Sequence, residues 1–167
     1  MKRFTFLLVA FATVFTAFGQ DKKPLSPKAT AEGKIGAAKV TIVYSQPSAR
    51  GRKMLGGKDP YGQVWRTGAN AATTIEFDKA VKVEGKDVPA GKYALFTIPN
   101  EKEWTIILSK NPNQSGAFDY KESEDLLRVN VPSGKTPAFV ETFNIAVVKD
   151  AVELKWENTA VSFKVKG

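Results

Sequence analysis

Apolar and polar residues alternate along most of the chain from residue 37 onward, which is the pattern of strands that bury one face. In the first such run, Val40, Ile42 and Tyr44 occupy every second position. Eight to nine short runs of this kind, separated by turn residues, predict an all-β fold: an antiparallel β-sandwich or jelly-roll-like domain. The apolar positions of the later runs are Ile75 and Phe77; Val81 and Val83; Val88; Ala94, Phe96 and Ile98; Trp104, Ile106 and Leu108; Leu127, Val129 and Val131; Phe139, Phe143 and Ile145; Val152, Leu154 and Trp156; and Val161, Phe163 and Val165.

Turn residues separate these runs at several points. Residues 88–91 carry Pro and Gly at the positions favoured in a type I turn, and residues 132–134 and 158–159 predict turns between later strands. The best helical candidate is residues 120–126, about one or two turns long. The sequence therefore predicts at most one short helix.

The first residues have the features of an export signal. Lys2 and Arg3 precede an apolar run at residues 4–18 that ends in small residues. At about fifteen residues, this run is shorter than the roughly 20 needed to span a bilayer. We therefore expect residues 1–19 to be a cleaved signal peptide and the mature protein to have no membrane span.

The remainder of the chain is expected to form one domain. Residues 20–36 are rich in Lys, Pro and Ala and predict a flexible leader, and residues 37–167 predict a single β-sandwich. A cleaved signal implies an exported protein, periplasmic or extracellular. Cys is absent, so the domain has no disulfide even in a compartment that would permit one.

The composition excludes several kinds of chemistry. The 167 residues contain neither His nor Cys, which excludes His-dependent nucleophilic triads and the usual zinc, copper and iron–sulfur ligand sets. A Gly-rich phosphate-binding loop is missing from the sequence as well. We therefore expect no cofactor.

Carboxylates are the remaining route to catalysis or metal binding. Glu76 and Asp78 share one face of a predicted strand, and glycoside hydrolysis needs two such groups across a cleft. Asp119, Glu122 and Asp125 offer oxygen ligands for Ca²⁺, but their spacing matches no EF-hand loop. Because carboxylates on strand faces and loops are usually solvated, we expect no metal site, and a carboxylate-based glycan hydrolase is the less favoured function.

Charge is distributed unevenly along a chain whose net charge is +8. Basic residues dominate residues 50–66, and acidic residues dominate residues 118–125. Either both segments are solvated loops that pair with each other, or the basic one forms a face that attracts anions. A nucleic-acid partner is not expected, because the chain has no aromatic-basic RNA-binding motif.

Residues 60–70 concentrate side chains suited to ligand binding. Arg66 presents a planar fork of donors to a carboxylate, phosphate or sulfate, Tyr61 and Trp65 supply flat rings, and Asn70 both donates and accepts. Such a set suits a saccharide or a small anion. With neighbours from adjacent loops, the candidate binding residues are Tyr61, Trp65, Arg66, Thr67, Asn70, Arg50, Arg52 and Gln114.

A structural role accounts for the same residues. Trp65 can fill the core, and Arg66 can pair with a carboxylate such as Glu76. Thr67 and Asn70 can cap backbone groups in a turn, where Asn tolerates a left-handed conformation. The sequence leaves both interpretations open.

Five stretches carry a resemblance to a known family: residues 44–48 with Gly51 and Arg52, residues 60–70, residues 89–99, residues 103–107 and residues 127–129. They resemble DUF2911, a family of exported proteins of unknown function found largely in Bacteroidetes-type bacteria. The resemblance covers nearly all of the mature chain and implies export and a β-rich fold, but no reaction. The family commonly has an acidic residue at the position of Ala71 and an aromatic one at that of Ser115, so this chain lacks a carboxylate and a ring there.

We therefore predict a non-enzymatic binding module for a saccharide or a small anionic ligand, with its site at residues 60–70. The alternative is a structural or partner-binding protein of the cell envelope. Such a protein would contact an envelope protein or an anionic surface through a sheet edge or its basic face.

Overall fold

The structure, a computed structural model, describes residues 25–167. This part of the chain contains nine strands and two single turns of 3₁₀ helix, and none of its helices is long and apolar enough to cross a bilayer. The 3₁₀ turns, Ala117–Asp119 and Glu122–Glu124, both lie in the segment between residues 109 and 125. The strands are β1 (Lys28–Ile35), β2 (Ala38–Ser45), β3 (Thr73–Phe77), β4 (Val81–Val83), β5 (Lys86–Val88), β6 (Gly91–Ile98), β7 (Glu103–Ser109), β8 (Asp125–Val148) and β9 (Ala151–Lys166).

All nine strands form one antiparallel sheet in the order β1-β2-β3-β6-β7-β8-β9-β4-β5, which confirms the all-β prediction. The long strand β8 changes partner along its 24 residues. It pairs with β7 as far as Pro132 and with β9 from Ser133 onward. The sheet therefore folds over into a sandwich-like arrangement, with β1, β2, β3, β6 and β7 in one layer and β9, β4 and β5 in the other.

The inner core lies between these layers and has an aromatic centre. Trp65 stacks on Trp156 with ring centroids 5.6 Å apart and planes inclined by 12°. Trp104 and Phe143 approach Trp65 edge-on, with centroid distances of 6.1 Å and 5.0 Å. Because each buried aromatic side chain removes roughly 150–250 Å² of surface from water, these four side chains make a large contribution for their number to the stability of the core.

Hydrogen bonds also join the layers at the edge of β8 that β9 leaves open. The Phe143 amide donates to the Pro47 carbonyl, just after β2, at 2.9 Å. The Ile145 amide donates to the Tyr44 hydroxyl at 3.0 Å. Since buried backbone groups need hydrogen-bond partners, these contacts supply acceptors for β8 amides that β9 does not pair.

The folded domain begins earlier than the sequence predicts. β1 lies inside residues 20–36, the stretch expected to be a flexible leader, and it pairs with β2 through a tight turn at Gly36, where φ is 58°. Three of its inward-facing residues, Ala29, Ala31 and Gly33, are small. β8 approaches closely there, and a Cβ on Gly33 would lie 2.7 Å from Val147. Because small residues contrast little with polar ones, the alternation in β1 is weak and the sequence does not predict this strand. The predicted signal peptide at residues 1–19 lies outside the described residues.

Two predicted turns are wrong, and the predicted helix is reduced to a single 3₁₀ turn. Residues 132–134 and 158–159 lie within β8 and β9, which pair across both positions. Pro132 is tolerated because β8 exchanges partners there, and Glu157, with φ 51°, marks an irregularity in the pairing. Residues 120–126 contain one 3₁₀ turn followed by the start of β8.

Candidate functional site

Residues 60–70 run beside the end of β6 and divide between the interior and the surface. Trp65 pairs with Thr97 of β6 through backbone hydrogen bonds of 2.7 Å and 3.0 Å. Successive side chains of such a pair point to opposite faces, so Trp65 turns inward while Arg66 turns outward. Trp65 is only 6% exposed and stacks on Trp156. It therefore fills the core and presents no ring face to a ligand.

Arg66 lies half-buried on the surface and joins two loops. Its Nη1 donates to the Asn70 carbonyl at 2.8 Å, and its guanidinium carbon lies 5.9 Å from the ring centroid of Phe118, a side chain that is 91% exposed. The guanidinium rests on Gly116, where a Cβ would lie 3.0 Å from Nη1. Within residues 25–167, Arg66 forms no ion pair with Glu76 or any other carboxylate. In the same range, its Nε and Nη2 have no protein acceptor.

Thr67 and Asn70 form a rigid corner after Arg66. Thr67 is fully buried at φ 54°, and its carbonyl accepts from the Thr73 hydroxyl at 2.7 Å. A left-handed β-branched residue costs on the order of 1–3 kcal/mol, so the surrounding contacts must hold this corner in place. Asn70 also adopts a left-handed conformation, with φ 61°, and its exposed amide donates to the Ser45 hydroxyl at 3.4 Å.

Tyr61 belongs to a different surface. Its ring covers Gly56, where a Cβ would lie 2.5 Å from Cε2, and it borders a hollow of about 310 Å³ beside Glu157. The Glu157 carboxylate accepts the backbone amides of Met54 and Leu55, both at 2.8 Å, and so anchors this loop to β9. Burial, reinforced by the nearby carboxylates, raises the pKa of Tyr61.

Arg50 and Arg52 serve the turn that follows β2. The Arg52 Nε donates to the Ala49 carbonyl at 2.9 Å, and the Arg50 Nη2 donates at 2.9 Å to a main-chain carbonyl near the start of the described chain. Burial raises the pKa of the nearby Asp59 carboxyl, while the positive charges of Arg66 and, more weakly, Arg52 act in the opposite direction. These two arginines therefore have structural partners.

A second apolar cluster lies on the outer face of the first layer, beneath the loop formed by residues 110–124. The rings of Phe96 and Tyr120 meet edge-on there, with centroids 5.1 Å apart. We call this group the outer cluster. Its buried members are Ala72, Ala94, Phe96 and Ile107, and the side chains of Val64, Ile98, Ala117 and Tyr120 pack against them.

Gln114 fastens the covering loop to the sheet. It is only 4% exposed, and its Nε2 donates to the Ser109 hydroxyl at 3.1 Å and to the Asn111 carbonyl at 2.9 Å. The main-chain carbonyl of Gln114 accepts from the Ala72 amide at 3.2 Å. Its Oε1 is buried without a donor from residues 25–167. A buried acceptor without a donor lowers the free energy of unfolding by about 1–3 kcal/mol, so the Gln114 Oε1 destabilises the loop by roughly this amount.

A cavity of about 410 Å³ lies between this loop and the outer face of β2 and β3. We call it the loop cavity. Val43, which is 37% exposed, and its cross-strand partner Thr74 form part of its floor. The volume falls within the roughly 300–1,000 Å³ typical of ligand pockets. The lining residues are Lys28, Val43, Tyr44, Ser45, Ala71, Ala72, Thr74, Pro112, Asn113, Gln114 and Ser115.

The structure thus divides the predicted binding residues. Gln114 lines the loop cavity, Asn70 directly precedes one of its walls, and Arg66 contacts Gly116, which directly follows the other. The predicted residues that lie elsewhere are Tyr61, Trp65, Thr67, Arg50 and Arg52.

Lys28 and Val43 line the cavity but are not among the predicted site residues. Lys28 falls in the stretch expected to be a leader. Val43 occupies an outward position between Ile42 and Tyr44. An aliphatic side chain on the polar side of an alternating strand is the one sequence signal that points to an apolar surface there.

Four of the five carboxylates considered for catalysis or Ca²⁺ binding have partners within residues 25–167, and Glu76 is the exception. Asp78 accepts the Lys39 amide at 2.7 Å. Asp125 accepts from the Tyr120 hydroxyl at 2.7 Å and from the Arg128 Nε at 2.8 Å. Burial, aided by the hydrogen bond to Asp125, raises the pKa of Tyr120 to about 12. Among residues 25–167, no group of three or more acidic side chains is arranged to hold a metal ion.

A comparison with models of known protein families gives a match over most of the chain. The family described as "Protein of unknown function (DUF2911)" matches residues 26–165. The matched segment begins just before β1 and ends within β9, so it covers nearly all of the domain described above. No curated protein and no solved structure matches the chain significantly. The chain therefore belongs to the DUF2911 family.

Proposed function

We propose that this protein is a non-enzymatic binding module that holds a saccharide or a small anionic ligand in the loop cavity. The observation that carries the proposal is a cavity of about 410 Å³ bounded by the sheet on one side and a fastened loop on the other. A concave apolar site with a few polar groups is where a small ligand is expected to bind.

Both walls of the cavity are held in place by specific contacts. Gln114 bonds to the covering loop and to Ala72 of the opposite wall. Arg66 bridges the ends of the same two segments through the Asn70 carbonyl and Phe118. A site that is already ordered before binding loses less conformational entropy when the ligand arrives, which favours affinity.

The surrounding charge favours an anion over a cation. Lys28 lines the cavity and Arg66 lies beside its wall, and neither forms an ion pair within residues 25–167. Positive groups around a concavity raise the local concentration of negatively charged ligands and speed their association.

Thermal unfolding in the presence of a panel of monosaccharides and small organic anions tests the proposal. A ligand at 100 times its Kd stabilises a protein by about 2.7 kcal/mol, which corresponds to a rise of roughly 5–10 °C in Tm. Val43→Trp places a ring in the cavity and should abolish the rise. Thr41→Trp is the matched control, because Thr41 lies two positions earlier on the same face of β2 but outside the cavity. A panel without effect, or a rise unchanged in Val43→Trp, would contradict the proposal.

We also propose that the protein is exported, on the basis of its basic and apolar first residues. Expression of the full chain followed by mass spectrometry of the purified protein tests this. A mature N-terminus at Gln20 in an extracytoplasmic fraction is expected, whereas an intact Met1 in the cytoplasm would contradict export.

Partner binding at the cell envelope is the second candidate function, and the exposed Phe118 ring beside Arg66 favours it. Aromatic and Arg side chains are enriched where proteins meet. Capture of one envelope protein at low salt, weakened by raised salt and lost in Phe118→Ala, would support this alternative. Capture that Phe118→Ala does not affect would rule out this alternative.

A further inference from the structure

We infer that the ligand of the loop cavity is a small amphipathic monoanion, such as a ring-sized or short-chain carboxylate, rather than a saccharide. This inference rests on the proposed function and narrows its ligand class. Its apolar body would lie on Val43, Ala72 and Pro112, and its negative group would meet Lys28.

The charge of the lining carries the first step. Lys28 is the only charged side chain among the lining residues, and no carboxylate is present to balance it. Lys28 stands opposite Ser45 in the β1–β2 ladder, so its position at the rim of the cavity is fixed by strand pairing. Lys28 forms no ion pair within residues 25–167. A single unpaired ammonium at a mainly apolar site matches a ligand with one negative charge.

The nature of the apolar lining carries the second step. Saccharide sites commonly present an aromatic ring face, and the rings predicted for that role lie elsewhere: Trp65 is in the inner core and Tyr61 borders another hollow. Tyr44 lines the cavity, but its side chain belongs to the inner core and its hydroxyl bonds to Ile145. The cavity therefore offers aliphatic rather than aromatic contacts.

The exposure of Val43 carries the third step. Outward positions of β2 are expected to be polar, yet Val43 lines the cavity and is 37% exposed. Covering apolar surface is favourable by about 25 cal/mol per Å² of apolar area removed from water. A hydrocarbon body covers Val43 entirely with apolar atoms, whereas a sugar covered in hydroxyl groups does so only in part.

Binding of three probes of similar shape tests the inference: benzoate, benzyl alcohol and benzylammonium, measured by calorimetric titration of the full domain. Benzoate should bind at least about tenfold more tightly than benzyl alcohol, and benzylammonium should bind most weakly. Lys28→Gln should reduce benzoate affinity to that of benzyl alcohol. Lys34→Gln, which removes an equal charge farther along β1 and outside the cavity, should leave the preference intact.

Other outcomes separate the class of ligand from the existence of the site. Equal affinity for benzoate and benzyl alcohol overturns the anionic class. Binding of glucose or another neutral monosaccharide that Val43→Trp abolishes, with no binding of benzoate, also overturns the class but preserves the proposed function. Failure of every probe and every saccharide overturns both.

Discussion

The inner core and the outer cluster share strands β6 and β7 but differ in what covers them. The inner core is sealed by two layers of sheet and centred on rings such as Trp65, Trp104 and Trp156. The outer cluster has four buried members, and a loop rather than a sheet covers it. A loop does not match a sheet face along its whole length, so a cavity remains at its edge. Stability therefore resides mainly inside, and the candidate site lies outside.

Truncation of one aromatic residue in each region is expected to give the largest difference. Trp65→Ala should lower the free energy of unfolding by about 3–5 kcal/mol, because a cavity would open in a core closed on both sides. Phe96→Ala should cost about 3 kcal/mol, the lower end for such a truncation, because the covering loop can settle into the space. Urea unfolding of both variants measures the two losses. Equal losses would mean that the outer cluster is packed as rigidly as the inner core.

Removal of the Glu157 carboxylate should have the next largest effect. Glu157→Ala leaves the amides of Met54 and Leu55 without their charged acceptor and should cost about 2–3 kcal/mol. Glu153→Ala removes a partly exposed ion pair with Lys155 and should cost no more than about 1 kcal/mol. Chemical denaturation of both variants gives the comparison. A loss in Glu157→Ala no larger than in the control would show that the loop does not depend on this anchor.

The stability contributed by the Tyr120 hydroxyl, beside the outer cluster, should decrease at alkaline pH. The pKa of Tyr120 is about 12 in the folded protein against an ordinary 10.0, so its contribution to stability is complete below pH 10 and is lost as the pH rises towards 12. Tyr120→Phe retains the ring against Phe96 but loses the bonds to Asp125 and Arg128. Near pH 8 it should cost about 1 kcal/mol.

Urea unfolding at a series of pH values checks the sign of this effect. The difference in unfolding free energy between the unmodified protein and Tyr120→Phe should shrink between pH 10 and 12. A difference that stays constant over that interval would show that the hydroxyl does not gain stability from remaining protonated in the fold.

Removal of the exposed ring beside the site should have the smallest effect on folding. Phe118→Ala should change the free energy of unfolding by less than about 1 kcal/mol, because a ring that is 91% exposed contributes little beyond its contact with Arg66. A thermal melt measures this. A loss of several kcal/mol would mean that the ring is buried in solution.

Much of the fold follows from local pattern. The alternation of Val40, Ile42 and Tyr44 identifies β2, because a strand with one buried face has a period of two. β1 is less visible because close approach of β8 requires small residues such as Gly33. The continuity of β8 through Pro132 is hidden for another reason: Pro normally signals a turn, and only the long-range exchange of partners explains its place in a strand.

The candidate site was less predictable than the fold. Trp65 and Arg66 are adjacent in sequence, and only the pairing of Trp65 with Thr97 determines which side chain turns inward. Residue type alone favours both as binding groups. The loop cavity combines Lys28, Val43 and Gln114 from segments far apart along the chain. No local sequence motif could therefore predict it.

Backbone amide chemical shifts during a titration with benzoate test the central claim most directly. We expect saturable shifts at Val43, Ala72 and Gln114, which line the loop cavity, with the indole signals of Trp65 and Trp156 unchanged in the inner core. Saturable shifts confined to any other surface, or none at all with benzoate and with every ligand of the saccharide and anion panel, would contradict the assignment of this cavity as the binding site.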